Sequence, residues 1–354
     1  NKMTTHDVAQ TEVKPRKPWK ATPLDRAITA TVLLGGLGIA SLAVKFTGLA
    51  GKLGFAFAFI AAATSLQVFF SVRKYGRKAL GDSIATSLIY VGAAATFLPV
   101  GSILFITLKN GLKGLRWNLF TTDMFNASFL DPIGNGGLLH ALVGTLLLIV
   151  IAMILSVPMG IMTALYLTEI RGRGASFIQF VVQAMSGVPS VVAGLFIFTS
   201  VILITPIHTS AAAGALALTI LMIPTVTRTA QEVLLLVPND LREAGLAMGA
   251  TQWKTVATIV VPAARNGLIT ATILGVARIA GETAPLIFTI GGADKLNLNP
   301  FKDYQSALPF YVWKGFALGT PESIQRSWTA ILILLILVLT LFTIARTLGG
   351  RRMN

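Results

Sequence analysis

Two residues of opposite charge stand close together in an apolar run towards the C-terminal end of the sequence. Arg278 and Glu282 are four positions apart in ARIAGETAPLIFTIGG, a spacing that places both side chains on one face of a helix. A central arginine costs about 2.5–3.5 kcal/mol to insert into a membrane-spanning helix, so such residues normally face a cavity or a helix bundle and serve function. The planar guanidinium matches the oxygens of an oxyanion, and the carboxylate would orient it. The pair predicts an anion pathway past Arg278; a purely structural ion pair is the competing interpretation.

Residues beside this pair and in one other segment can add to such a pathway. Thr283 would contribute a hydroxyl, and Pro285 permits a kink and frees a backbone carbonyl. The sequence SGVPS at 186–190 interrupts another apolar segment. Pro189 and Ser190 therefore either shape the pathway or mark a simple kink.

A second charged pair with the same spacing, Arg228 and Glu232, lies at the end of a further apolar segment. Two interpretations are open for this pair. Either Arg228 lines the pathway, or the two side chains reach out together to the membrane surface.

The stretch EAGLAMGATQWKTVATIVVPAA, residues 243–264, is amphipathic and lies between two apolar segments. Apolar residues recur at helical spacing on both sides of Gly249, which suits a left-handed helix stop. The stretch therefore predicts two short helices that meet at a glycine corner. Four residues mark the helix ends: Asp240 as N-cap of the first helix with Glu243 completing a capping box, Thr251 as N-cap of the second helix, and Pro262 as its stop.

This amphipathic stretch carries apolar side chains, including the large ring of Trp253, outside any span. An exposed apolar face marks either a protein partner or a helix lying on the membrane surface. A membrane-surface helix is normally rich in Lys and Arg on its polar face, whereas only Lys254 flanks this one and two carboxylates open the first helix. We therefore expect a protein partner here.

The elements that position all these residues must be membrane-spanning helices. Of the 354 residues, 54% are hydrophobic and only 12% charged, against about 25% charged in a typical soluble domain. A span needs about 20 apolar residues, and the sequence predicts an all-α polytopic membrane protein with about eight spans. The predicted spans lie near 27–44, 53–72, 84–108, 137–166, 176–204, 212–230, 266–290 and 328–348.

The formal net charge of +15 indicates membrane topology rather than nucleic-acid binding. With both termini inside, Lys and Arg are about twice as frequent in the inner as in the outer segments, as the positive-inside rule requires. We therefore expect both termini to be cytoplasmic and the basic loops to lie against anionic lipid. The polar tail at 1–26 has no cleavable-signal pattern and is expected to be cytoplasmic.

Several classes of active site are missing from the sequence. There is no cysteine, and the three histidines have no ligand spacing, so no metal site is expected. No GxxxxGK[ST] motif is present, and no Ser/His/Asp or paired-carboxylate set is evident. We expect a chain that is not an enzyme and holds no cofactor; if it moves a substrate uphill, a partner must supply the energy.

The amphipathic stretch at 243–264 resembles the EAA loop of ABC importer permeases. Five residues match the loop in type and spacing: Glu243, Ala244, Gly249, Ile259 and Pro262. Gly245 departs from the motif, which has a second Ala there. In that family the loop is a coupling helix that enters a groove of the cytoplasmic ATPase subunit. The resemblance implies an ATPase contact formed by Glu243, Ala244, Gly245, Gly249, Trp253 and Pro262.

Other stretches are similar to the PstA-type phosphate permease branch of that family. They are GGLLHALVGTLLL at 136–148, SGVPSVVAGLF at 186–196, IPTVTRTAQEVLLLVP at 223–238 and the motif at 277–292. The last stretch reads Gly-Glu-Thr-Ala-Pro, where the PstC-type partner usually has Gly-Glu-Thr-Met-Ala. The resemblance implies a type I ABC importer permease core of six helices over 84–348. An extra N-terminal hairpin at 27–72 lies outside it.

The same resemblance implies a function and a set of partners. The chain would form half of a pathway for inorganic phosphate in the bacterial inner membrane, with a PstC-type permease as the other half. A PstB-type ATPase dimer would drive transport, and a PstS-type binding protein would deliver phosphate to the outer loops at 109–136 and 291–327. The resemblance also implies that the motif containing Arg278 and Glu282 takes part in transport. Three alternatives remain at this point: a permease for sulfate or molybdate, an ATP-independent channel or carrier, and an additional role as a phosphate sensor.

Overall fold

The computed structural model describes residues 23–46 and 51–349. This part of the chain consists of helices and loops, with one isolated bridge between Gly291 and Gln305, so the all-α prediction is confirmed. The α-helices are, in chain order, α1 Pro23–Phe46, α2 Gly51–Tyr75, α3 Ala79–Gly111, α4 Leu139–Leu165, α5 Ala175–Ser186, α6 Ser190–Ile197, α7 Ala211–Leu235, α8 Asn239–Ala247, α9 Gln252–Thr255, α10 Val261–Ala280, α11 Ala284–Thr289, α12 Leu308–Leu318 and α13 Pro321–Gly349.

Seven helices of the described residues are long and apolar enough to cross a membrane, and a bent helix pair would make eight if it counts as one span. The count agrees with the prediction from hydropathy. The seven are Asp25–Phe46, Gly54–Tyr75, Ala79–Gly114, Leu139–Ile170, Ala211–Leu235, Gln252–Ala280 and Pro321–Thr347.

The fifth predicted span, at 176–204, is not one straight helix. The segments Ala175–Ser186 and Ser190–Ile202 meet at an angle of 104°. Proline lacks the backbone N–H that would continue the helix and restricts the residue before it. Pro189 itself has an extended ψ of 139° and serves as the N-cap of α6.

The seventh predicted span, at 266–290, is displaced in the structure. The continuous helix runs over Gln252–Ala280, and a separate short helix, α11, follows after Gly281. The prediction that Pro262 ends a helix is wrong, because Pro262 lies in the first turn of α10. A π-turn over Val256–Val260 precedes it. Such a widened turn lets a helix pass a proline without a stop.

Close packing of small residues joins the central helices of the second unit, residues 104–354. Gly160 of α4 lies against Val226 of α7, and Gly214 of α7 lies against Leu148 of α4, which makes these two helices parallel. Gly275 of α10 also lies against Val226. In membranes, small residues bring helices together because packing replaces the hydrophobic effect as the main attraction. As a result α7, the most buried span, is held between α4 and α10.

The first unit, residues 1–103, contains α1, α2 and most of α3. The first two helices form an antiparallel hairpin, which matches the hairpin predicted at 27–72. Gly36 of α1 faces Ala63 and Phe59 of α2, and an ion pair between Asp25 and Lys74 joins the far ends. The division between the two units falls inside α3, after residue 103.

Candidate translocation and coupling sites

Arg278 and Glu282 do not share one helix face. Arg278 lies in the last turn of α10, which ends at Ala280, whereas Glu282 lies in the turn that follows. Among the ion pairs within 4.0 Å in the described residues, none joins these two side chains. The prediction that both side chains share one helix face is therefore wrong, and so is the competing interpretation of a structural ion pair. A proline at 285 cannot donate to the carbonyl of Gly281, and the helix stops before the motif is complete.

The guanidinium of Arg278 instead contacts the neighbouring helix α7. Its Nη1 donates a hydrogen bond to Oγ1 of Thr225 over 3.1 Å. Arg228 lies one turn further along α7 on the same face, and both arginines are exposed in this chain. Arg228 does not pair with Glu232 either: no ion pair of the described residues includes Arg228 or Arg278. Two cations without carboxylate partners therefore lie on adjoining surfaces of α7 and α10. We call them the pathway arginines.

The helix breaks at Pro189 and before Pro285 lie next to two short helices, α6 and α11, that pack together. A Cβ on Gly194 of α6 would approach Cα of Pro285 in α11 to 2.6 Å, so the two backbones are in direct contact. Pro285 is buried there, while Thr283 precedes α11 and makes no side-chain cap. Ser190 begins α6 and is half-buried. The structure thus brings together the elements that carry Pro189 and Pro285, two residues predicted to shape the pathway.

The amphipathic stretch forms a helix, a glycine corner and a second helix that continues into the membrane. We call residues 239–264 the coupling segment. Gly249 has a φ of +80°, and its N–H donates to Leu246 over 2.9 Å while that of Ala250 donates to Gly245 over 3.2 Å. These two bonds are those of a Schellman motif. The predicted glycine corner is confirmed.

The predicted caps of the coupling segment differ in outcome. Thr251 is the N-cap of α9, and its Oγ1 accepts a hydrogen bond from the N–H of Lys254 over 3.4 Å, as predicted. Asp240 is not an N-cap, because α8 begins one residue earlier at Asn239 and its N-cap is Pro238. The carboxylate of Asp240 lies in the first turn instead, where a negative charge is favoured by the helix dipole.

Gly245 lies where α8 crosses the second helix. It is buried, and a Cβ there would meet the side chains of Thr255 at 2.7 Å and Ile259 at 2.8 Å. The departure from alanine at this position therefore has a steric reason. Val256 and Val260 are buried with it, so these three residues form the inner face of the coupling segment.

The opposite face of the coupling segment carries large apolar side chains in solvent. Met248 is 88% and Trp253 65% exposed, and Leu241 and Leu246 are exposed as well. Glu243, Ala244 and Ala257 share this exposure, and Pro262 is also exposed. The predicted apolar faces are thus divided between an inner face that packs and an outer face that is uncovered in this chain.

Two residues that sequence reasoning missed tie the coupling segment to the membrane helices. Arg242 of α8 binds Glu169 through both carboxylate oxygens, Nη2 to Oε1 at 2.8 Å and Nε to Oε2 at 3.0 Å. The hydrogen bonds that Arg242 donates to the carboxylate of Glu169 raise the pKa of Arg242. Glu169 lies in the π-turn Tyr166–Ile170 that extends α4. Only its position as a lone carboxylate in the basic stretch TEIRGRG could have drawn attention to it.

The two outer loops predicted at 109–136 and 291–327 are joined by hydrogen bonds. Oδ2 of Asp123 accepts from the N–H of Leu296 over 3.0 Å, and the N–H of Met124 donates to the carbonyl of Asp294 over 2.9 Å. Burial raises the pKa of Asp123, but the N–H donors of Leu296 and Phe125 outweigh it and leave the pKa lowered. The second loop is not fully irregular, since it contains α12.

A cavity of about 530 Å³ lies between these outer loops. It is lined by Phe125 from the first loop and by Lys295 and Tyr304 from the second. Nζ of Lys295 lies 5.3 Å from the ring centre of Phe125, within the range of a cation–π contact. The wall of the cavity therefore combines aromatic and charged side chains.

Comparison with known proteins supports one family. Residues 156–354 match the model of the family described as binding-protein-dependent transport system inner membrane component. The phosphate transport system permease protein PstA 1 of Mycobacterium tuberculosis (strain CDC 1551 / Oshkosh) is 35% identical over 266 residues, which is 75% of this chain and 87% of that protein. PstA of Mycobacterium leprae is 36% identical over 281 residues, or 78% of this chain and 92% of that one.

One further sequence relative and one solved structure are also similar to this chain. PstA of Haemophilus influenzae is 35% identical over 279 residues, 77% of this chain and 95% of that protein. A solved inward-facing structure of the MetNI methionine ABC transporter is 20% identical with a TM-score of 0.47, and covers 59% of this chain and 91% of that chain. The extent and identity of the sequence matches show that this chain belongs to the family of inner-membrane components of binding-protein-dependent transport systems.

Proposed function

We propose that this chain is a permease subunit of an ATP-driven importer of inorganic phosphate and forms half of its translocation pathway. The support is the match over most of the chain to relatives named phosphate transport system permease proteins. The chain would lie in the bacterial inner membrane with both termini in the cytoplasm. Its partner in the pathway would be a PstC-type permease.

The observation that carries the substrate assignment is the pair of pathway arginines. Arg228 and Arg278 have no carboxylate within 4.0 Å among the described residues, so their charge remains available to an anion. A guanidinium can donate two parallel hydrogen bonds to a phosphate. Arg278 would contact or steer phosphate, held in place by Thr225. Glu282 would keep the empty pathway closer to neutral, and the turns at Pro189–Ser190 and Thr283–Pro285 would shape its walls.

The coupling segment would receive the motion that drives transport. The uncovered apolar face with Met248 and Trp253 fits a groove on a partner protein. That partner would be a PstB-type ATPase dimer, which binds ATP and Mg, while this chain hydrolyses no ATP itself. The contact would use Glu243, Ala244, Gly249 and Trp253, with the buried Gly245 setting the packing inside the segment and the exposed Pro262 in the first turn of α10 beside it.

The outer loops would accept phosphate from an extracytoplasmic binding protein of the PstS type. Hydrogen bonds between the loops through Asp123 and Met124 keep them together as one surface. Such preorganised surfaces bind partners without a large entropic cost.

The proposal is tested by reconstituting the complex purified through this chain into vesicles and measuring uptake of radiolabelled phosphate. We expect uptake that requires ATP and the binding protein and that excess sulfate or molybdate does not inhibit. Uptake of sulfate or molybdate instead would assign the chain to another oxyanion. Uptake of phosphate without ATP would indicate a channel or carrier and would contradict the proposal.

A further inference from the structure

Glu169 and Arg242 form a salt bridge beside the coupling segment, and Arg242 makes several further hydrogen bonds there. We call this group of contacts the junction. The side chain of Glu169 is only 6% exposed and that of Arg242 19%. Both carboxylate oxygens accept from the guanidinium, a bidentate arrangement that fixes orientation as well as distance. A buried carboxylate of this kind depends on its cation, because an unpaired charge in such a place is strongly unfavourable.

Arg242 also reaches the end of α7. Its Nη2 donates to the carbonyl of Leu234 over 2.8 Å, and its Nη1 donates to the carbonyl of Val237 over 2.6 Å and to Oδ1 of Asn239 over 3.2 Å. The last carbonyls of a helix lack partners within the helix, and a cation is favoured at that end. One arginine of α8 therefore holds the ends of two membrane helices, α4 and α7, at the same time.

The second helix of the coupling segment joins the same junction. Nε2 of Gln252 donates to the backbone carbonyl of Glu169 over 2.6 Å. A cavity of about 290 Å³ lies beside the pair, lined by Arg171, Asn239 and Thr255 among others. The space adjoins α8 at Asn239 and Leu246, so this side of α8 is not closely packed.

We infer that Glu169 and Arg242 are positioning residues that transmit movement of the coupling segment to α4 and α7. This inference rests on the proposed function. In the described part of the chain, the hydrogen bonds between α8 and the extension of α4 run through this pair. Without the pair, force on α8 would still pass along the backbone into α7, which ends at Leu235 just before α8, and into α9. It would no longer act directly on the extension of α4 through a side chain of α8.

The decisive variant removes both charges, Glu169→Gln with Arg242→Gln. Arg242→Gln alone leaves a buried unpaired carboxylate and is prone to misfold, whereas the double variant leaves none. Each single charge removal has a matched control outside the junction: Asp82→Asn in the exposed first turn of α3 and Arg265→Gln on the exposed side of α10. The readout is phosphate taken up per ATP hydrolysed by the reconstituted complex, together with the amount of ATPase that co-purifies.

We expect the double variant to assemble with the ATPase at the wild-type ratio and to hydrolyse ATP, with phosphate uptake per ATP reduced at least about tenfold, since several charge-assisted bonds are lost. The controls should keep the wild-type ratio. An unchanged ratio in the double variant would overturn the inference. Loss of assembly with a parallel fall in both activities would also overturn it, because the pair would then only hold the fold together. If the wild-type complex itself takes up no phosphate, the proposed function fails, which separates the two results.

Discussion

At the residue scale, two arginines of this chain show how surroundings determine what a cation is available to do. Arg326 is 1% exposed, and its Nη2 donates to the carbonyls of Asp131, Pro132 and Asn135, so this guanidinium serves to hold the loop at 131–135. Arg278 is exposed and donates one hydrogen bond, to Thr225, within the described part of the chain. The remaining donors of Arg278 are therefore free to meet a ligand.

Substitution of Arg278 tests this availability. Arg278→Lys keeps the charge but loses the planar fork of donors, and we expect phosphate uptake by reconstituted vesicles to fall about tenfold. Arg278→Gln loses the charge as well and should lower uptake about a hundredfold, with normal assembly. The control is Arg265→Gln, an exposed arginine of the same helix.

The role of Glu282 is decided by the combined variant Arg278→Gln with Glu282→Gln. If the two residues served only as an ion pair, removing both charges would restore folding and transport. Arg278 and Glu282 form no ion pair within 4.0 Å in the described part of the chain, so we expect the combined variant to transport no better than Arg278→Gln alone. Uptake near the wild-type rate in the combined variant would contradict a role for Arg278 in the pathway.

At the element scale, the coupling segment depends on one backbone conformation. Gly249 has a positive φ, and a Cβ at this position would meet nothing within 4 Å. A side chain there is therefore opposed only by the backbone, at a cost of about 1–2 kcal/mol for a residue forced into the left-handed region. The corner sets the angle between α8 and the helix that enters the membrane.

Gly249→Val should disturb this corner, because a β-branched residue resists positive φ. We expect the chain to insert into the membrane normally but to lose the ATPase during co-purification. Gly249→Asn is the matched control, since asparagine tolerates this conformation, and it should retain the ATPase. Retention of the ATPase at the wild-type ratio in Gly249→Val would count against the assigned contact.

The N-terminal hairpin is an element with its own packing. Its two helices contact each other through Gly36 and Ala63, and the family match begins only at residue 156. We therefore predict that deletion of residues 1–72, with the basic residues at 73–78 retained to orient the next span, leaves phosphate uptake measurable. Complete loss of uptake in a deletion variant that inserts and assembles normally would show that the hairpin belongs to the pathway or to a subunit interface.

At the scale of the whole molecule, the absence of cysteine in the sequence makes the topology directly measurable. Lys254 follows the glycine corner of the coupling segment, and Lys302 lies in the second outer loop; both are exposed. With both termini in the cytoplasm, Lys254→Cys should react with an impermeant maleimide only in inverted vesicles. Lys302→Cys should react only in right-side-out vesicles. The reverse pattern would refute the proposed orientation.

The sequence by itself determined the features that depend on local chemistry. The number of apolar segments is a property of composition along the chain, and the structure has the corresponding helices. The positive φ of Gly249 and the cap by Thr251 follow from the preferences of single residues. The family follows from motif spacing and is confirmed by the relatives.

Only the tertiary structure decided where helices stop and which side chains meet. Glu282 lies beyond the end of α10, and Arg278 bonds to Thr225, which is 53 positions away. Glu169 and Arg242 are 73 positions apart, and no periodicity in the sequence links them. Such contacts depend on which helices pack together and in what register. Packing, unlike hydropathy or backbone preference, is a property of several distant segments at once.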